Sequence, residues 1–249
     1  MKARGRWDGM LLIARLNWPF YAVAAGVVVL ALVGVVGFAA PVVRSGCALL
    51  VAGAGYFLLG SLGVSHLVYD RSNLYRWRWL DRALGGVARG RTAYCHAGYA
   101  EAVEELRVAS VAGEWVVLDH YEEGRMTESS IKRARRICPV ARDTVVAPFN
   151  AWPLAAGSLD VVFGILAIHE LRSHGERVEW FAEARRCLKP GGRVVIAEHT
   201  RDLSNFLAFG PGFLHFHSCG SWRRSWQAAG FQRVDEFRVT PWVRIFVLA

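Results

Sequence analysis

The stretch from Leu159 to His199 constrains the fold of this chain more than any other. It runs through an apolar segment from Leu159 to Ile168, then His169-Glu170, then an amphipathic segment ending at Leu188. The turn Lys189-Pro190-Gly191-Gly192 follows, and after it a second apolar segment from Arg193 to His199. Short runs rich in Val and Ile, separated by a longer stretch of helical period, are the pattern of strand, crossover helix and parallel strand. The proline and paired glycines stop the helix and turn the chain back toward the sheet. The core is therefore an open parallel α/β sheet, a design that binds its ligands at the carboxyl ends of the strands.

Ahead of this unit the sequence changes character. Every residue from Trp18 to Ala40 is apolar or small apart from Tyr21, enough for a helix to cross a bilayer core of about 30 Å. A cleaved signal peptide has a shorter apolar region, and here a second apolar run, Cys47 to Val68, follows after a turn at Pro41 to Gly46. The two runs read as a membrane hairpin over residues 1–70, with Gly53-Ala54-Gly55 suited to close helix packing. The 53% hydrophobic content agrees with a membrane part. Basic residues lie at both outer ends (Lys2, Arg4, Arg6, Arg15; Arg71, Arg76, Arg78, Arg82), and only Arg44 lies in the turn. The positive-inside rule then puts both ends in the cytoplasm. Residues 71–90 mix aromatic and basic side chains, most densely in Leu74-Tyr75-Arg76-Trp77-Arg78-Trp79-Leu80, as suits a segment at the headgroup boundary. Gly85-Gly86 and Gly90 read as a flexible link.

The net charge of +9 is assigned mainly to anionic lipid rather than to nucleic acid, because many of the basic residues flank the apolar segments. The five cysteines are scattered, with no Cys-x-x-Cys pair and no Cys/His ligand spacing, so no metal site or disulfide framework is indicated.

Two motifs then carry a family resemblance. Ser158-Leu159-Asp160-Val161-Val162 and Cys187-Leu188-Lys189-Pro190-Gly191-Gly192-Arg193-Val194-Val195, at this separation, resemble the fourth and fifth strands of class I S-adenosylmethionine (SAM)-dependent methyltransferases. The resemblance covers residues 91–249 and implies a Rossmann-like methyltransferase sheet there, carried on the N-terminal transmembrane hairpin. It makes Arg91 to Gly98 the first strand and its loop, with Tyr99 to Leu106 as the following helix. Of the glycines usual in that loop only Gly98 is present, and His96 and Gly98 are the implied cofactor contacts. The resemblance also implies that Asp119, at the end of the strand Trp115 to Asp119, accepts the ribose hydroxyls of SAM. A helix is expected from an N-cap at Thr127 to Arg135, then a strand from Thr144 to Phe149. Asn150-Ala151-Trp152-Pro153-Leu154 is similar to the family's adenine-contacting segment. Two roles stand open for Trp152, stacking on the base or filling the core.

Methyl transfer from a sulfonium is an in-line displacement, so the protein mainly orients the acceptor and, where needed, removes its proton. His169, after the fourth strand, and His199, after the fifth, are the catalytic candidates at the carboxyl edge; the competing reading of each is a histidine satisfied by its neighbours. Asp202 to His217, aromatic and punctuated by glycine, reads either as a lid or acceptor wall or as packing. Ser221 to Ala229 reads as a helix, and Arg233 to Thr240 with Val243 to Leu248 as a closing antiparallel pair.

The sequence thus points to a SAM-dependent methyltransferase acting on a small lipophilic or membrane-associated acceptor. Its expected partners are membrane lipids and not nucleic acid. The alternative is a membrane-bound SAM-binding or scaffold protein without catalysis.

Overall fold

The computed structural model describes residues 5–100, 102–110, 113–138, 140 and 143–249. These form two compact units, one comprising the chain up to Arg71 with Leu203–Phe213, the other Ser72–Asp202 with Leu214–Ala249.

The first unit is helical. Helix α1 (Asp8–Leu16) precedes α2 (Trp18–Gly37) and α3 (Pro41–Ser65), and a π-helical turn (His66–Arg71) continues α3. Helix α2 and the continuous stretch Pro41–Arg71 are each long and apolar enough to cross a membrane, and most of their side chains are uncovered. The turn between them is Phe38 to Ala40, shorter than the expected Pro41 to Gly46. Pro41 instead occupies the first turn of α3, where its missing N–H has no helical partner to lose. Among the glycines of this pair, Gly34 is the one closely approached by the other helix: a Cβ there would lie 2.5 Å from Cys47 Sγ. Gly53 and Gly55 have nothing within 4 Å of such a position, so close packing falls elsewhere than expected. Tyr21 and Ser61 share a hydrogen bond of 3.0 Å across the pair. Asp70 accepts from Gly9 N and Met10 N, capping α1 from the far end of the hairpin. Of the basic residues at the amino end, Lys2 and Arg4 lie outside the described residues. The later helix α8 (Leu203–Phe209) belongs to this unit, and Tyr56 donates to Leu207 O at 2.8 Å.

The second unit opens with a stretch that is fixed rather than a flexible link. Leu74, Trp77, Trp79, Leu80, Ala83 and Leu84 are buried, and a short helix, α4 (Leu80–Leu84), carries Arg82 onto Asp235 and over the Phe237 ring. Burial of these rings, and pairing of Gly90 O with Glu114 N, outweigh the local freedom of the glycines.

A seven-stranded sheet follows, in the order β3-β2-β1-β4-β5-β7-β6. Its strands are β1 (Arg91–His96), β2 (Glu114–Asp119), β3 (Thr144–Val146), β4 (Leu159–Ile165), β5 (Leu188–His199), β6 (Arg233–Arg238) and β7 (Val243–Leu248). The first five are parallel; β7 runs antiparallel to both β5 and β6. Every residue of β4 is buried, as a run that is apolar except for Asp160 requires, and that acid accepts from Arg91 N and Lys189 Nζ. The Lys-Pro-Gly-Gly turn is absorbed as an irregularity of the β4–β5 ladder, in which Leu159 faces Leu188 but Val161 faces Arg193.

Helices α5 (Val103–Ser110), α6 (Ser129–Ile137), α7 (His174–Cys187) and α9 (Cys219–Ala228) complete the layers. Helix α5 begins later than the expected Tyr99, with Glu101 of that segment outside the described residues. Helix α6 begins after Glu128 with no side-chain cap, rather than at Thr127. Helix α7 has the reciprocal cap its sequence offers: Ser173 Oγ accepts from Glu176 N, and the Glu176 carboxylate accepts from Ser173 N. Strand order reverses between β1 and β4, which opens the crevice at their carboxyl ends.

Candidate active site

Asp119 ends β2 beside the end of β1 and is almost fully buried. Its Oδ1 accepts from Gly98 N at 2.8 Å and Tyr121 N at 3.0 Å; its Oδ2 accepts from Arg135 Nη1 at 2.7 Å. Arg135 reaches it from α6 and lies 4.2 Å over the Tyr121 ring. Gly98 has φ +92°, a conformation only glycine adopts freely. A Cβ there would lie 3.0 Å from both Ile131 and Tyr121 and 3.2 Å from Arg135. The acid and the glycine are thus together, as expected, but α6 and Tyr121 fill the space above them.

Two buried histidines flank this pair. His96 Nδ1 accepts from Gly98 N at 3.2 Å, which leaves the proton on Nε2. His120 Nδ1 donates to Ala147 O at 2.9 Å, which leaves Nε2 as an acceptor. Neither Nε2 has a partner among the described residues. Burial lowers both pKa values to about 4, so each ring is neutral at physiological pH. The edge therefore carries one spare donor and one spare acceptor, as a polar ligand requires. His120 had no sequence signal except its place directly after Asp119.

Beyond β3, Asn150 and Ala151 are exposed, and Asn150 lines a cleft of about 460 Å³ together with Phe149, Glu176 and Glu179. Asn150 Nδ2 donates to Glu179 at 2.8 Å. Trp152 lies in the core, stacked on His120 at 5.6 Å and edge-on to Trp180, with its Nε1 donating to Phe149 O. Of the two roles left open for Trp152, the structure shows core filling.

A second cluster forms at the ends of β4 and β5. Leu166, at φ +50°, turns the chain from β4 into a single 3₁₀ turn, Ile168–Glu170. Glu198, fully buried near the end of β5, accepts there from Ala167 N (3.2 Å), Ile168 N (2.9 Å) and His169 N (3.2 Å) through Oε1. Its Oε2 lies 2.7 Å from His169 Nδ1. Burial opposes charge on His169, but the Glu198 charge and hydrogen bonds to Glu170 and Glu198 prevail and raise its pKa to about 10. Glu170 Oε1 lies 3.4 Å from His169 Nε2 and 3.1 Å from His215 Nε2. Its pKa is held well below the usual range by the hydrogen bonds and charges of those imidazoles, against the effect of burial. His217 Nε2 lies 3.1 Å from His169 O, and a parallel bridge between Thr200 and His217 fixes this returning strand.

His199 is linked to that group through an aromatic ring. Its Nδ1 lies 3.0 Å from Trp242 O and its ring stacks on Phe216 at 4.9 Å, while Phe216 meets His169 edge-on at 6.1 Å. The sequence reading missed Glu198 and His215. An acid inside the run Val-Val-Ile-Ala-Glu-His was the available signal for the first, because a buried charge needs partners. His215 is 45 residues from Glu170, and no spacing rule links them.

Residues 100–196 match a family model described as a methyltransferase domain. No curated protein matches the chain. Among solved structures, a SAM-dependent methyltransferase from Aquifex aeolicus has a TM-score of 0.53 at 15% identity, covering 73% of this chain and 94% of the other. One from Leishmania major has a TM-score of 0.51 at 16% identity, covering 78% of each. Geranyl diphosphate methyltransferase, solved with SAM, has 0.50 at 14% identity, covering 76% of this chain and 89% of the other. Those likenesses establish the class I fold. With the family match over residues 100–196, the second unit carries a methyltransferase domain with the fold of the SAM-dependent enzymes.

The residues fit that cofactor chemically. Asp119 offers a carboxylate at the end of β2, Gly98 a backbone without Cβ, and His96 and His120 unpaired polar atoms. Arg135 Nη1 competes with a ribose hydroxyl for Asp119 Oδ2.

Proposed function

We propose that this enzyme methylates an oxygen, sulfur or nitrogen atom of a small lipophilic acceptor drawn from the cytoplasmic face of a membrane. The observation that carries the reading is the path of the chain. Two apolar helices of membrane-spanning length share a compact unit with Leu203–Phe213. In the sequence that segment begins four residues after His199 and ends two residues before His215. Leu203, Phe206 and Leu207 on it are exposed, as lipid contact requires.

In this reading Asp119, Asn150, Ala151, His96 and the Gly98 backbone hold SAM, which supplies a methyl group on a positively charged sulfonium. His169 carries its proton at neutral pH, so it is not the base; as a cation it favours an acceptor that arrives already ionised and has no proton to remove. Glu198 holds its ring in place. His199, through its stack on Phe216, shapes the apolar wall beside it.

One observation favours a second reading, a membrane-bound domain that binds or scaffolds without turnover: Asp119 is fully engaged and the space over Gly98 is filled. Calorimetric titration of detergent-purified protein with SAM and S-adenosylhomocysteine, beside Asp119→Ala, separates the two. Binding that the variant loses, followed by methyl incorporation into lipid-extract acceptors, supports the first. Absence of binding by folded protein supports the second, and transfer only to water-soluble acceptors overturns the assignment of a lipophilic acceptor.

A further inference from the structure

We infer that His169, Glu170 and His215 form a binding site for a divalent transition-metal ion, Zn²⁺ being the best chemical match. Each of the three side chains offers one ligand atom, an imidazole nitrogen or a carboxylate oxygen, all within 4.8 Å of one another. Bonds of about 2.0–2.2 Å at tetrahedral angles place neighbouring ligand atoms about 3.3 Å apart. The two edges that meet at Glu170 Oε1 measure 3.4 and 3.1 Å. Only the edge between the two imidazoles remains to be closed.

The surroundings of the three ligands supply the independent argument. A metal-binding imidazole is generally oriented by an acceptor on its other nitrogen. His169 Nδ1 has Glu198 Oε2 at 2.7 Å, and His215 Nδ1 has Glu128 Oε1 at 3.3 Å. Each imidazole thus has its own carboxylate behind it, and both aim Nε2 at the same oxygen of a third carboxylate. Glu198 is itself fixed by three backbone N–H groups, and the His215 carbonyl is held by Arg172 Nη1. Arg172 Nη1 also lies 3.1 Å from His215 Nδ1, so it must yield that nitrogen to Glu128 on loading.

Two imidazoles and one carboxylate select borderline ions over Mg²⁺ or Ca²⁺, which prefer oxygen ligands alone. Three protein ligands leave a position open, the arrangement of sites that act on a ligand rather than only brace a fold. A cation there would take the place of the His169 proton and hold an acceptor oxygen or sulfur as its anion. The site rests on the cluster's own geometry and does not need the acceptor assignment.

The test is metal binding by the full chain in detergent, stripped with chelator and then titrated with Zn²⁺ and, for its visible absorption, Co²⁺. The expected result is one ion per chain, with affinity lowered about 100-fold or more in Glu170→Gln and in His215→Asn. Glu198→Gln, acting through His169, should lower it about 10–100-fold, while His174→Asn, outside the cluster, leaves it unchanged. Circular dichroism of each variant establishes folding; if Glu170→Gln fails to fold, His215→Asn decides alone. No bound ion in folded wild-type protein, or binding undiminished in His215→Asn, overturns the site.

Discussion

Glu198→Ala should destabilise the methyltransferase domain by about 3–5 kcal/mol, the range for removing one partner of a buried ion pair. The contacts lead to the same magnitude. The side chain is fully buried and its carboxylate serves three backbone N–H groups and the His169 imidazole. Two of those N–H groups, on Ala167 and Ile168, make buried bonds, and each unsatisfied donor costs about 1–3 kcal/mol. For a chain of this size the melting temperature should fall about 2–4 °C per kcal/mol, hence about 6–20 °C. Glu198→Gln keeps an acceptor oxygen and loses only the charge, so its cost should be about 1–2 kcal/mol. Thermal unfolding in detergent followed by near-ultraviolet circular dichroism measures both. The pH dependence has a definite sign. The His169 pKa rises from 6.5 to about 10 on folding, so the pair's contribution is full below pH 6.5 and is lost as pH climbs toward 10. The gap between wild type and Glu198→Ala should therefore narrow from pH 6.5 to pH 10. An alanine variant within about 1 kcal/mol of wild type at pH 6.5 would refute the view that Glu198 organises this edge.

Two further outcomes follow from the other half of the site. Arg135→Met should tighten SAM binding about fivefold in the same calorimetric titration, because a partly exposed ion pair worth about 1 kcal/mol no longer competes for Asp119; weaker binding would mean that Arg135 holds the carboxylate ready for the ligand. His96 and His120 have folded pKa values of about 4 against 6.5 when exposed, so the unfolded chain binds more protons between those values. Stability should fall as pH drops from 6.5 to 4, by up to roughly 3 kcal/mol per histidine, and the double variant His96→Asn/His120→Asn should flatten that slope in urea melts.

What the sequence determined by itself is what local periodicity and motif spacing encode. The runs Leu159–Ile165 and Val194–Ala197 could be buried only in a parallel sheet, and their link through α7 set their neighbourhood. Two long, mainly apolar stretches required two long helices. Asp119 at the end of β2 and Gly98 just past the end of β1 were recognisable through the family resemblance, at the edge where the fold gathers its ligands.

Tertiary structure decided the rest, because those features depend on residues far apart in the chain. Arg135 reaches Asp119 only when α6 lies against β2 and the loop at Gly98. His215 meets Glu170 because the chain makes an excursion through Leu203–Phe213 and then bridges back at His217. The fixed course of 72–90, despite its glycines, follows from rings whose burial no local pattern specifies. Local chemistry chose the elements, whereas convergence of distant side chains on one sheet edge, and the burial that sets their charge, exist only once the chain has closed on itself.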